Sequence, residues 1–399
     1  MSDGDGEFEV RLGAAFGQAG GGPEPEVTAR LVDGGLRAGR RLKRARQRRT
    51  VLLAGALTAA VLTGAGTLTA PHGLPGRSSD ALQVAGTAPA PSDRGVTILL
   101  IGLDTTVGAE GGPTDADPPA AELHIGTRSR GMTDTVMLAH IPAGGREVRQ
   151  LSLPRDLMVP DGKGGSVQLN QVYWSAEQAE TQRLREQGLA EKDVQWRGQE
   201  AGRAALISAV QQLAGLPVDH FAEVSMSGFY QVAKALGGVP VCLNEAVDDP
   251  WSGAKLPAGR SELNASQALA FVRQRHGIGT GSDIGRTARQ QAFLAGVLAK
   301  LRAGGTLTDP GRLSALYGAL KDDLVVDQGW SPVDFVRQVP AFAAGAGTAG
   351  TLPTVFEGNR LRAEDGAAKR ILVDGAVPSA APGGELPSPV ALDGVPCVD

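Results

Sequence analysis

The sequence predicts an α/β fold in which helices cover a mixed β-sheet. Val96–Leu103 is an almost unbroken apolar run, which is typical of a buried central strand. Thr135–Ile141 and Glu147–Leu153 flank the turn-forming residues Pro-Ala-Gly-Gly and predict a β-hairpin. Helical patterns alternate with strands along the rest of the chain. Together these observations favour an α-β-α sandwich around a mixed central sheet.

The later elements follow from the spacing of apolar residues and from turn residues. Asn264 and Gln267 have the spacing of a capping box and predict the start of one helix. Ser175–Glu200 is rich in Glu, Gln and Arg, and both a surface helix and a loop remain open for it. The patterns predict strands at His220–Val224 and Val239–Leu243, and helices at Glu200–Ala214, Leu263–Arg273, Gly285–Arg302 and Pro310–Leu320.

A single membrane anchor is predicted before this domain. Residues 50–70 contain no charged side chain, and about 20 apolar residues are enough to span a bilayer. Eight basic residues lie between Arg37 and Arg49, directly before this segment. A cleaved signal peptide and a buried core helix are the alternatives, but the first has a much shorter leader and the second has no one-sided basic run. The positive-inside rule then places the N-terminus in the cytoplasm and the catalytic domain outside the cell membrane.

The predicted organisation has five parts. The 399 residues allow two or three domains, or one large α/β domain with flanking segments. Residues 1–33 are polar and acidic, which is typical of disorder. The parts are a disordered cytoplasmic tail at 1–49, a transmembrane anchor at 50–70, a Pro/Ala/Gly linker at 71–94, a catalytic domain at 95–345, and a C-terminal extension at 346–399 that packs on the domain or trails it.

The charge distribution argues against nucleic acid as a partner. Residues 1–71 carry ten basic and seven acidic side chains, whereas residues 72–399 carry 29 and 36, within a chain of net charge −4. Duplex binding depends on a basic face that neutralises phosphates. Any anion must therefore be bound by a local basic cluster in an acidic outer part.

The two cysteines, Cys242 and Cys397, both lie on the predicted outer side. An even pair in an oxidising compartment is able to form one disulfide. The alternative is two free or buried thiols. A disulfide is the favoured prediction because it would fix an otherwise polar C-terminal segment.

Charged residues stand at the ends of the predicted strands. Asp104 follows the apolar strand, Asp134 precedes the first hairpin strand, and Arg155 and Asp156 follow the second. In an antiparallel pair the start of one strand lies beside the end of the other. If the apolar strand runs alongside the second hairpin strand, these four residues share one edge, where ligands of α/β sheets bind. The alternative is that each charge only caps its own strand.

Polar residues continue the buried face of the predicted helix at 285–302. Gln290, Arg289 and Arg286 lie three, four and seven residues before Phe293, at the start of its apolar stripe. Buried guanidinium groups need a partner, and Asp283 is the internal candidate. The remaining positive charge and the N–H groups of the helix N-terminus predict an anion site.

Arg273 and Arg275 supply two more guanidinium groups. On a continuing helix they would face apart, but His276 and Gly277 indicate that the helix ends there, so that both are able to turn inward. The alternative is a solvated pair that complements the helix dipole. Five arginines beside two or three aspartates describe a pyrophosphate–Mg²⁺ site. The sequence has no P-loop, no zinc-ligand spacing and no G-x-S-x-G elbow.

Six segments together resemble the LytR-CpsA-Psr family. The combination of PRD, R-x-R and D-x-x-R-x-x-R-Q-Q is specific, and the likeness covers about residues 95–302 in collinear order. The segments are VTILLIGLD at 96–104, TDTVML at 133–138, LSLPRD at 151–156, VDHFAEVSMSGF at 218–229, ALGGVPV at 235–241, and ALAFVRQRH with SDIGRTARQQAFL within 268–294.

The resemblance implies a phosphotransferase of the cell envelope. Such an enzyme moves a glycopolymer, of the teichoic acid type for example, from a polyprenyl-pyrophosphate carrier to peptidoglycan and releases polyprenyl phosphate. It implies Mg²⁺ as cofactor, with Mn²⁺ as the alternative, and a single-pass anchor in the membrane. A membrane-anchored polyprenyl-pyrophosphate hydrolase and a non-catalytic regulator that binds envelope polymer remain the alternatives.

The same resemblance assigns roles to individual residues. Asp104 and Asp134 match the metal-associated aspartates, and Asp134 is also a candidate to assist deprotonation of the acceptor. The role of Arg289 is the least settled of the pyrophosphate ligands. The implied catalytic residues are Asp134, Arg155, Arg273, Arg275, Asp283, Arg286 and Gln290; the implied pyrophosphate ligands are Arg155, Arg273, Arg275, Arg286 and Arg289; and the lipid-tunnel candidates, which an ordinary core explains equally well, are Val136, Leu138, Val210, Phe229, Leu269, Phe293 and Val297.

The sequence departs from the family pattern in three places. Many members carry Arg where Met132 stands here, which puts one phosphate ligand in doubt. Residues 105–132 and 175–199 are longer than the common pattern. The first insertion either shapes acceptor choice or forms a disordered acidic loop.

Overall fold

The computed structural model describes residues 77–85, 95–105, 131–161, 164–278, 283–321, 323–379, 386 and 388–399. These residues belong to one compact unit of the chain, His72–Asp399. The predicted anchor at 50–70 and most of the predicted insertion at 105–132 lie outside them. Among the helices described, none is both long enough and apolar enough to cross a membrane.

The described elements alternate between strands and helices. In chain order the strands are β1 (Arg77–Ser79), β2 (Val96–Leu103), β3 (Thr133–Ile141), β4 (Val148–Ser152), β5 (Met158–Pro160), β6 (Ser166–Gln168), β7 (His220–Ser225), β8 (Val239–Leu243), β9 (Val247–Asp249), β10 (Ala254–Leu256), β11 (Gly259–Leu263), β12 (Leu324–Asp327), β13 (Gly347–Thr351), β14 (Thr354–Glu357), β15 (Arg360–Ala363), β16 (Val390–Ala391) and β17 (Cys397–Val398). The helices are α1 (Ala81–Ala85), α2 (Leu169–Glu186), α3 (Glu191–Ala214), α4 (Met226–Ala235), α5 (Ala265–Arg273), α6 (Asp283–Ala303), α7 (Pro310–Leu320), α8 (Pro332–Gln338), α9 (Pro340–Ala344) and α10 (Ala367–Leu372).

The central sheet is mixed, as predicted. Its strand order is β1-β12-β7-β2-β3-β4-β13-β16. β2 pairs in parallel with β7 and antiparallel with β3, and β3 pairs antiparallel with β4. The predicted hairpin is therefore confirmed. The assumption that the apolar strand runs alongside β4 is wrong, because β3 lies between β2 and β4.

Helices cover both faces of this sheet. On one face, Leu99 and Ile101 of β2 pack in a buried core with residues of α2 and α3, such as Leu169 and Leu206. On the other face, Ile98 of the same strand packs with α6, α8 and α9. Successive strand residues point to opposite faces, so one unbroken apolar strand supplies both cores. This arrangement confirms the predicted sandwich.

The structure resolves the polar segment that the sequence left open. Ser175–Glu200 falls within α2 and α3, which pack against each other as a helix pair. Gly202 of α3 permits this packing, since a Cβ there would lie 2.7 Å from the Tyr173 ring. The capping box at Asn264 and Gln267 is present and starts α5 at Ala265, while Leu263, predicted as helical, ends β11.

Both ends of the described unit contribute to the sheet. β1 lies in the segment predicted as a linker and pairs in parallel with β12. β13 lies in the segment predicted as an extension and pairs in parallel with β4. Neither strand has the apolar run that identifies a strand from sequence, since they read RSS and GTAGT.

The C-terminal segment is held by the predicted disulfide. Cys242 of β8 is bonded to Cys397 of β17, and the two strands pair in parallel. β8 also packs under α6, where Gly296 allows close approach, because a Cβ at that position would lie 2.1 Å from the carbonyl oxygen of Pro240. The disulfide therefore ties residues 397–399 to the side of α6.

Candidate active site

Three of the predicted site residues meet at one edge of the central sheet. Asp104 directly follows β2, and its N–H donates to the carbonyl oxygen of Met132 at 2.8 Å, just before β3 begins. Asp134 is the second residue of β3, and Arg155 follows β4. Because β2, β3 and β4 are successively antiparallel, these chain ends lie side by side. Met132 contributes its carbonyl group to this edge, and no guanidinium stands at its position.

Asp134 is shared by three arginines. Its carboxylate accepts hydrogen bonds from Arg155 Nη1 at 3.0 Å and from Arg286 Nη1 at 3.3 Å. Arg275 Nη2 lies 3.8 Å from the same carboxylate. Within this Asp134 cluster (Asp134, Arg155, Arg275 and Arg286) the guanidinium groups outnumber the carboxylate, and two further carboxylates stand beside it: Asp156 Oδ2 lies 3.8 Å from Arg155 Nε, and Asp104 attracts Arg286 and Arg275. Planar guanidinium forks of this kind bind phosphate oxygens in pairs.

Asp104 and Arg273 lie beside this cluster. Burial raises the pKa of Asp104 above its ordinary value, and the negative charge of Asp134 adds to the effect, while Arg273 and the cluster arginines oppose it. Burial likewise lowers the pKa of Arg273, against the attraction of Asp104 and Asp134. The carboxylate of Asp134 therefore stands close enough to disfavour the charged form of Asp104.

This carboxylate pair suits a divalent cation. Mg²⁺ keeps several of its waters and is held by one or two carboxylates together with phosphate oxygens of the ligand. Asp104 and Asp134 supply the carboxylates at the predicted position, and a cation there would relieve their mutual repulsion. Among the described residues no group of three or more His, Cys, Asp or Glu side chains is placed to hold a metal ion.

The end of α5 directs two arginines to one side, as the sequence analysis expects. α5 ends at Arg273, and Gln274 adopts an extended backbone conformation with φ −55° and ψ 139°. This break rotates the next residue, so that Arg273 and Arg275 both line the cavity described below. A continuing helix would have separated them by about 200°.

α6 presents different residues to different surroundings. Arg286 is only 4% exposed and reaches Asp134. Gln290, one turn later, lines the cavity, and its Nε2 lies 3.5 Å from the carbonyl oxygen of Val272. Gln291 points to the sheet and donates to Ser152 Oγ and to the carbonyl oxygen of Gly350, which fixes α6 against β4 and β13.

One predicted pyrophosphate ligand, Arg289, does not line the cavity, and the predicted role of Asp283 stays a prediction. Asp283 begins α6, but its side chain lies outside what the structure describes. Arg289 turns away from the cavity, is 1% exposed, and donates to the carbonyl oxygen of Gln274 at 2.7 Å and to the main-chain oxygen of Asp399. Burial lowers the pKa of Arg289 to about 10, with a further contribution from the charge of Arg286.

An apolar cavity of about 550 Å³ opens beside the arginines. It lies between the central sheet and helices α4, α5 and α6, and it places the Asp134 cluster and a long apolar wall in one continuous space. Four of the predicted tunnel residues line it: Phe229, Leu269, Phe293 and Val297. The rings of Phe229 and Phe293 contact each other, with centroids 4.4 Å apart.

The other three tunnel candidates are corrected by the structure. Val136, Leu138 and Val210 are buried in the core on the opposite face of the sheet, against α2 and α3. The β3 side chains that line the cavity are instead those of Thr135 and Met137. Alternation along a strand fixes which residues share a face, but it does not say which face meets which layer.

Sequence reasoning missed the residues at the mouth of the cavity. Asp249, Trp251, Ser252 and His276 all line it. Trp251 is 77% exposed, and its ring centroid lies 6.3 Å from that of His276. Asp249 lies at the end of the three-residue strand β9, so no periodic pattern marks it. The signal that the sequence does contain is a turn signal, an Asp followed three residues later by Ser at Asp249 and Ser252, and it marks a turn without indicating a site.

The fold and the site together define a class of protein. It is an α/β sandwich with an arginine–aspartate site at the mouth of an apolar cavity. A sequence model of the LytR_cpsA_psr family matches residues 74–344, which is more than half of the chain. The chain belongs to the LytR-CpsA-Psr family.

Individual relatives agree with this membership. The chain is 41% identical over 263 residues to the cell wall biosynthesis protein LcpA of Corynebacterium glutamicum, covering 66% of this chain and 50% of that protein. It is 27% identical over 216 residues to the polyisoprenyl-teichoic acid–peptidoglycan teichoic acid transferase TagU of Bacillus anthracis, covering 53% and 62%. The chain thus spans about half to three fifths of the length of these relatives.

A solved structure supports the fold. The LytR-Csp2A-Psr enzyme from Actinomyces oris superposes with a TM-score of 0.50 at 21% sequence identity, covering 75% of this chain and 94% of that one. Similarity at this level of identity shows the shared fold.

Proposed function

We propose that this protein transfers a cell-wall glycopolymer from a polyprenyl-pyrophosphate carrier to peptidoglycan and releases polyprenyl phosphate. The observation that carries the proposal is the junction of the Asp134 cluster with the apolar cavity. A prenyl pyrophosphate is an anion joined to a long apolar chain, and it therefore has the same division of polarity as this site. Family membership and the printed names of LcpA and TagU give the envelope context.

The proposed reaction depends on positioning and charge. A sugar hydroxyl of the acceptor attacks the phosphorus linked to the glycopolymer, and the bond from that phosphorus to the oxygen of the lipid phosphate breaks. Arg155, Arg275 and Arg286 would bind the phosphates and stabilise the charge that develops on the leaving group. Asp134 lies within 4 Å of all three guanidinium groups and is the candidate acceptor for the hydroxyl proton.

Asp104 and Asp134 would hold Mg²⁺, which when bound supplies further charge neutralisation at the phosphates. The cavity would take the first isoprene units, whose transfer from water contributes favourable energy that depends on apolar area. Binding the apolar chain leaves the pyrophosphate at the mouth of the cavity, where an acceptor sugar is able to approach.

The location that we propose is the outer face of the cell membrane. The predicted anchor at 50–70 would hold the domain near the lipid carrier and raise its effective concentration. The disulfide between Cys242 and Cys397 supports an oxidising compartment, because such bonds are rare in the reducing cytoplasm.

The proposal is tested with the full chain, lipid-linked polymer and peptidoglycan oligomers. We expect covalent attachment of polymer to peptidoglycan, and a loss of roughly 100-fold or more in rate for Arg286→Ala. Arg312→Ala is the matched control, since Arg312 is an exposed arginine of α7 that contacts Asp309 and the carbonyl oxygen of Gly304 and does not line the cavity. If polymer phosphate appears free in solution and never on peptidoglycan, the protein is a hydrolase and the transfer proposal is wrong.

A further inference from the structure

The peptide group between Gln274 and Arg275 is held at both ends by buried charged side chains. Arg289 Nη2 donates to its carbonyl oxygen, on Gln274, at 2.7 Å. Asp249 Oδ2 accepts from its N–H, on Arg275, at 3.3 Å. Both side chains are 1% exposed. A cation and an anion thus bind the two ends of one peptide dipole.

Asp249 is itself fixed by four further contacts. Its carboxylate accepts hydrogen bonds from the N–H of Trp251 at 3.0 Å, from the hydroxyl of Ser252 at 2.9 Å and from the N–H of His276 at 3.4 Å. The ring nitrogen of His276 lies 3.6 Å away. Although burial raises the pKa of Asp249, these hydrogen bonds together hold it below its ordinary value, so the carboxylate is ionised.

Two further features fix the turn that contains this peptide. The buried amide Nε2 of Gln274 donates to the carbonyl oxygen of His276 at 3.0 Å. Gly277 has φ +80°, a backbone conformation that side chains disfavour. Hydrogen bonds to the backbone and the positive φ of Gly277 therefore fix the conformation of the turn. This conformation determines where Arg273 and Arg275 point.

This peptide is the one at which α5 breaks. Residues 273 and 275 would point apart on a continuing helix, whereas here both line the cavity. We propose that Asp249 and Arg289 are positioning residues which hold the Gln274–Arg275 peptide in the orientation that brings Arg273 and Arg275 to the pyrophosphate. In this proposal both residues act through the peptide that they hold. This inference rests on the proposed function, and it gives Arg289 a different role from the pyrophosphate ligand that the sequence predicts.

The test is a binding cycle with the full chain, using geranylgeranyl pyrophosphate with Mg²⁺ as the probe and calorimetry as the measurement. Asp249→Asn and Arg289→Met are each expected to weaken binding about 10-fold, the effect of losing one hydrogen bond to a charged group. In an Arg275→Ala background the same changes are expected to weaken binding by less than about 3-fold, because the group they position is gone. If Asp249→Asn and Arg289→Met weaken binding by the same factor in the Arg275→Ala background as in the unmodified protein, the inference is wrong.

Two matched controls separate positioning from general stability. Arg302 lies on the same helix as Arg289 and also donates to a main-chain carbonyl oxygen, that of Leu392 at 2.9 Å, but far from the cavity lining. Asp248 is the exposed neighbour of Asp249, and among the described residues it pairs with exposed Lys255. Arg302→Met and Asp248→Asn are expected to bind the probe as the unmodified protein does. Equal losses in the control and test variants would contradict a positioning role.

A milder variant covers the case in which Asp249→Asn fails to fold. Ser252→Ala removes one hydrogen bond to Asp249 and leaves the charge, so we expect a loss of about 2- to 5-fold that disappears in the Arg275→Ala background. Failure of the proposed function gives a different result from failure of this inference. In the first case the unmodified protein does not bind the probe, and in the second it binds but the cycle is additive.

Discussion

Two arginine–carboxylate clusters lie on opposite faces of the central sheet, and they have inverse compositions. In the Asp134 cluster one carboxylate is shared by three guanidinium groups. In the second, which we call the Arg203 cluster (Arg203, Glu200 and Glu223), one guanidinium is shared by two carboxylates. The first opens into the cavity and the second is packed under α2 and α3. The ratio of charges, not the residue types, separates an anion site from a structural tether.

The Arg203 cluster is saturated by its own partners. Arg203 is fully buried and donates to both oxygens of Glu223, at 3.0 and 2.8 Å, and to Glu200 at 2.7 Å. Burial is the largest single effect and opposes its charge, but Glu223, Tyr173 and Glu200 together outweigh burial, and the pKa of Arg203 lies above its ordinary value. Glu200 in turn accepts from the hydroxyl of Ser79, so the cluster also fixes β1. Each of its three charged groups has a hydrogen-bond partner within the protein, and none of the three lines the cavity.

Breaking the Arg203 cluster should produce the largest loss of stability. Arg203→Met leaves Glu223 buried without its partner, and we expect the free energy of unfolding to fall by about 3–5 kcal/mol. Denaturant titration measures this change. Arg312→Met, which removes an exposed pair with Asp309 and an exposed hydrogen bond to the carbonyl oxygen of Gly304, should change stability by less than about 1 kcal/mol. A loss below about 1 kcal/mol for Arg203→Met would contradict the tether role.

Neutralising the shared carboxylate of the Asp134 cluster should cause a smaller loss of stability, and an added anion should reverse it. Asp134→Asn removes the negative charge that three arginines share, so we expect the free energy of unfolding to fall by about 1–3 kcal/mol. Inorganic pyrophosphate, without divalent metal, should then raise the melting temperature of the variant more than that of the unmodified protein. The same anion should not restore Arg203→Met. Equal shifts in all three proteins would break the distinction between the clusters.

Filling the cavity should weaken binding of the apolar chain without changing binding of the pyrophosphate group. Val297→Trp is expected to weaken binding of geranylgeranyl pyrophosphate about 10-fold and to leave inorganic pyrophosphate binding unchanged. Val210→Ala is the control in the opposite core, where it should lower stability by about 1–3 kcal/mol without changing either affinity. Weaker binding in Val210→Ala would restore the sequence-based tunnel assignment.

The smallest effect concerns Glu177, which lies beside the Arg203 cluster. Burial raises its pKa to about 7, the charge of Glu223 adds to this, and Arg203 opposes it. The folded state therefore binds more protons than the unfolded state between about pH 4.5 and 7, and stability should fall as the pH rises through this window.

Glu177→Gln should remove this pH dependence. Above pH 7 the variant should be more stable than the unmodified protein by on the order of 1 kcal/mol, and below pH 4.5 the two should be equal. Exposed Glu186 of the same helix provides the control, since Glu186→Gln should leave the pH profile of thermal unfolding as it is. A flat profile in the unmodified protein would contradict the raised pKa.

Strand polarity was sufficient to predict the core of the candidate site. Knowing only that Asp104 ends one strand and that Asp134 and Arg155 bound a hairpin, the sequence analysis brings them to one edge, and the structure places them there. The error over which strand neighbours β2 did not matter, since β3 carries Asp134 between the other two.

The direction of individual side chains could not be predicted in the same way. Arg289 and Gln290 are separated by about 100° on α6, and only the neighbouring turn decides which of them meets the cavity. Asp249 binds a turn that is 26 residues away in sequence. A local sequence pattern does not predict a contact over this separation. β1 and β13 read RSS and GTAGT, which have no apolar run, and they lie at and next to the margins of the central sheet.

The central claim is that the Asp134 cluster and the cavity together bind one amphipathic pyrophosphate. A crystal structure of the full chain with geranylgeranyl pyrophosphate tests it most directly. We predict diphosphate density within hydrogen-bond distance of Arg155, Arg275 and Arg286, with the isoprene chain between Phe229 and Val297 and with Arg289 still bound to the carbonyl oxygen of Gln274. Density for the diphosphate away from these three arginines, or an isoprene chain outside the cavity, would contradict the account.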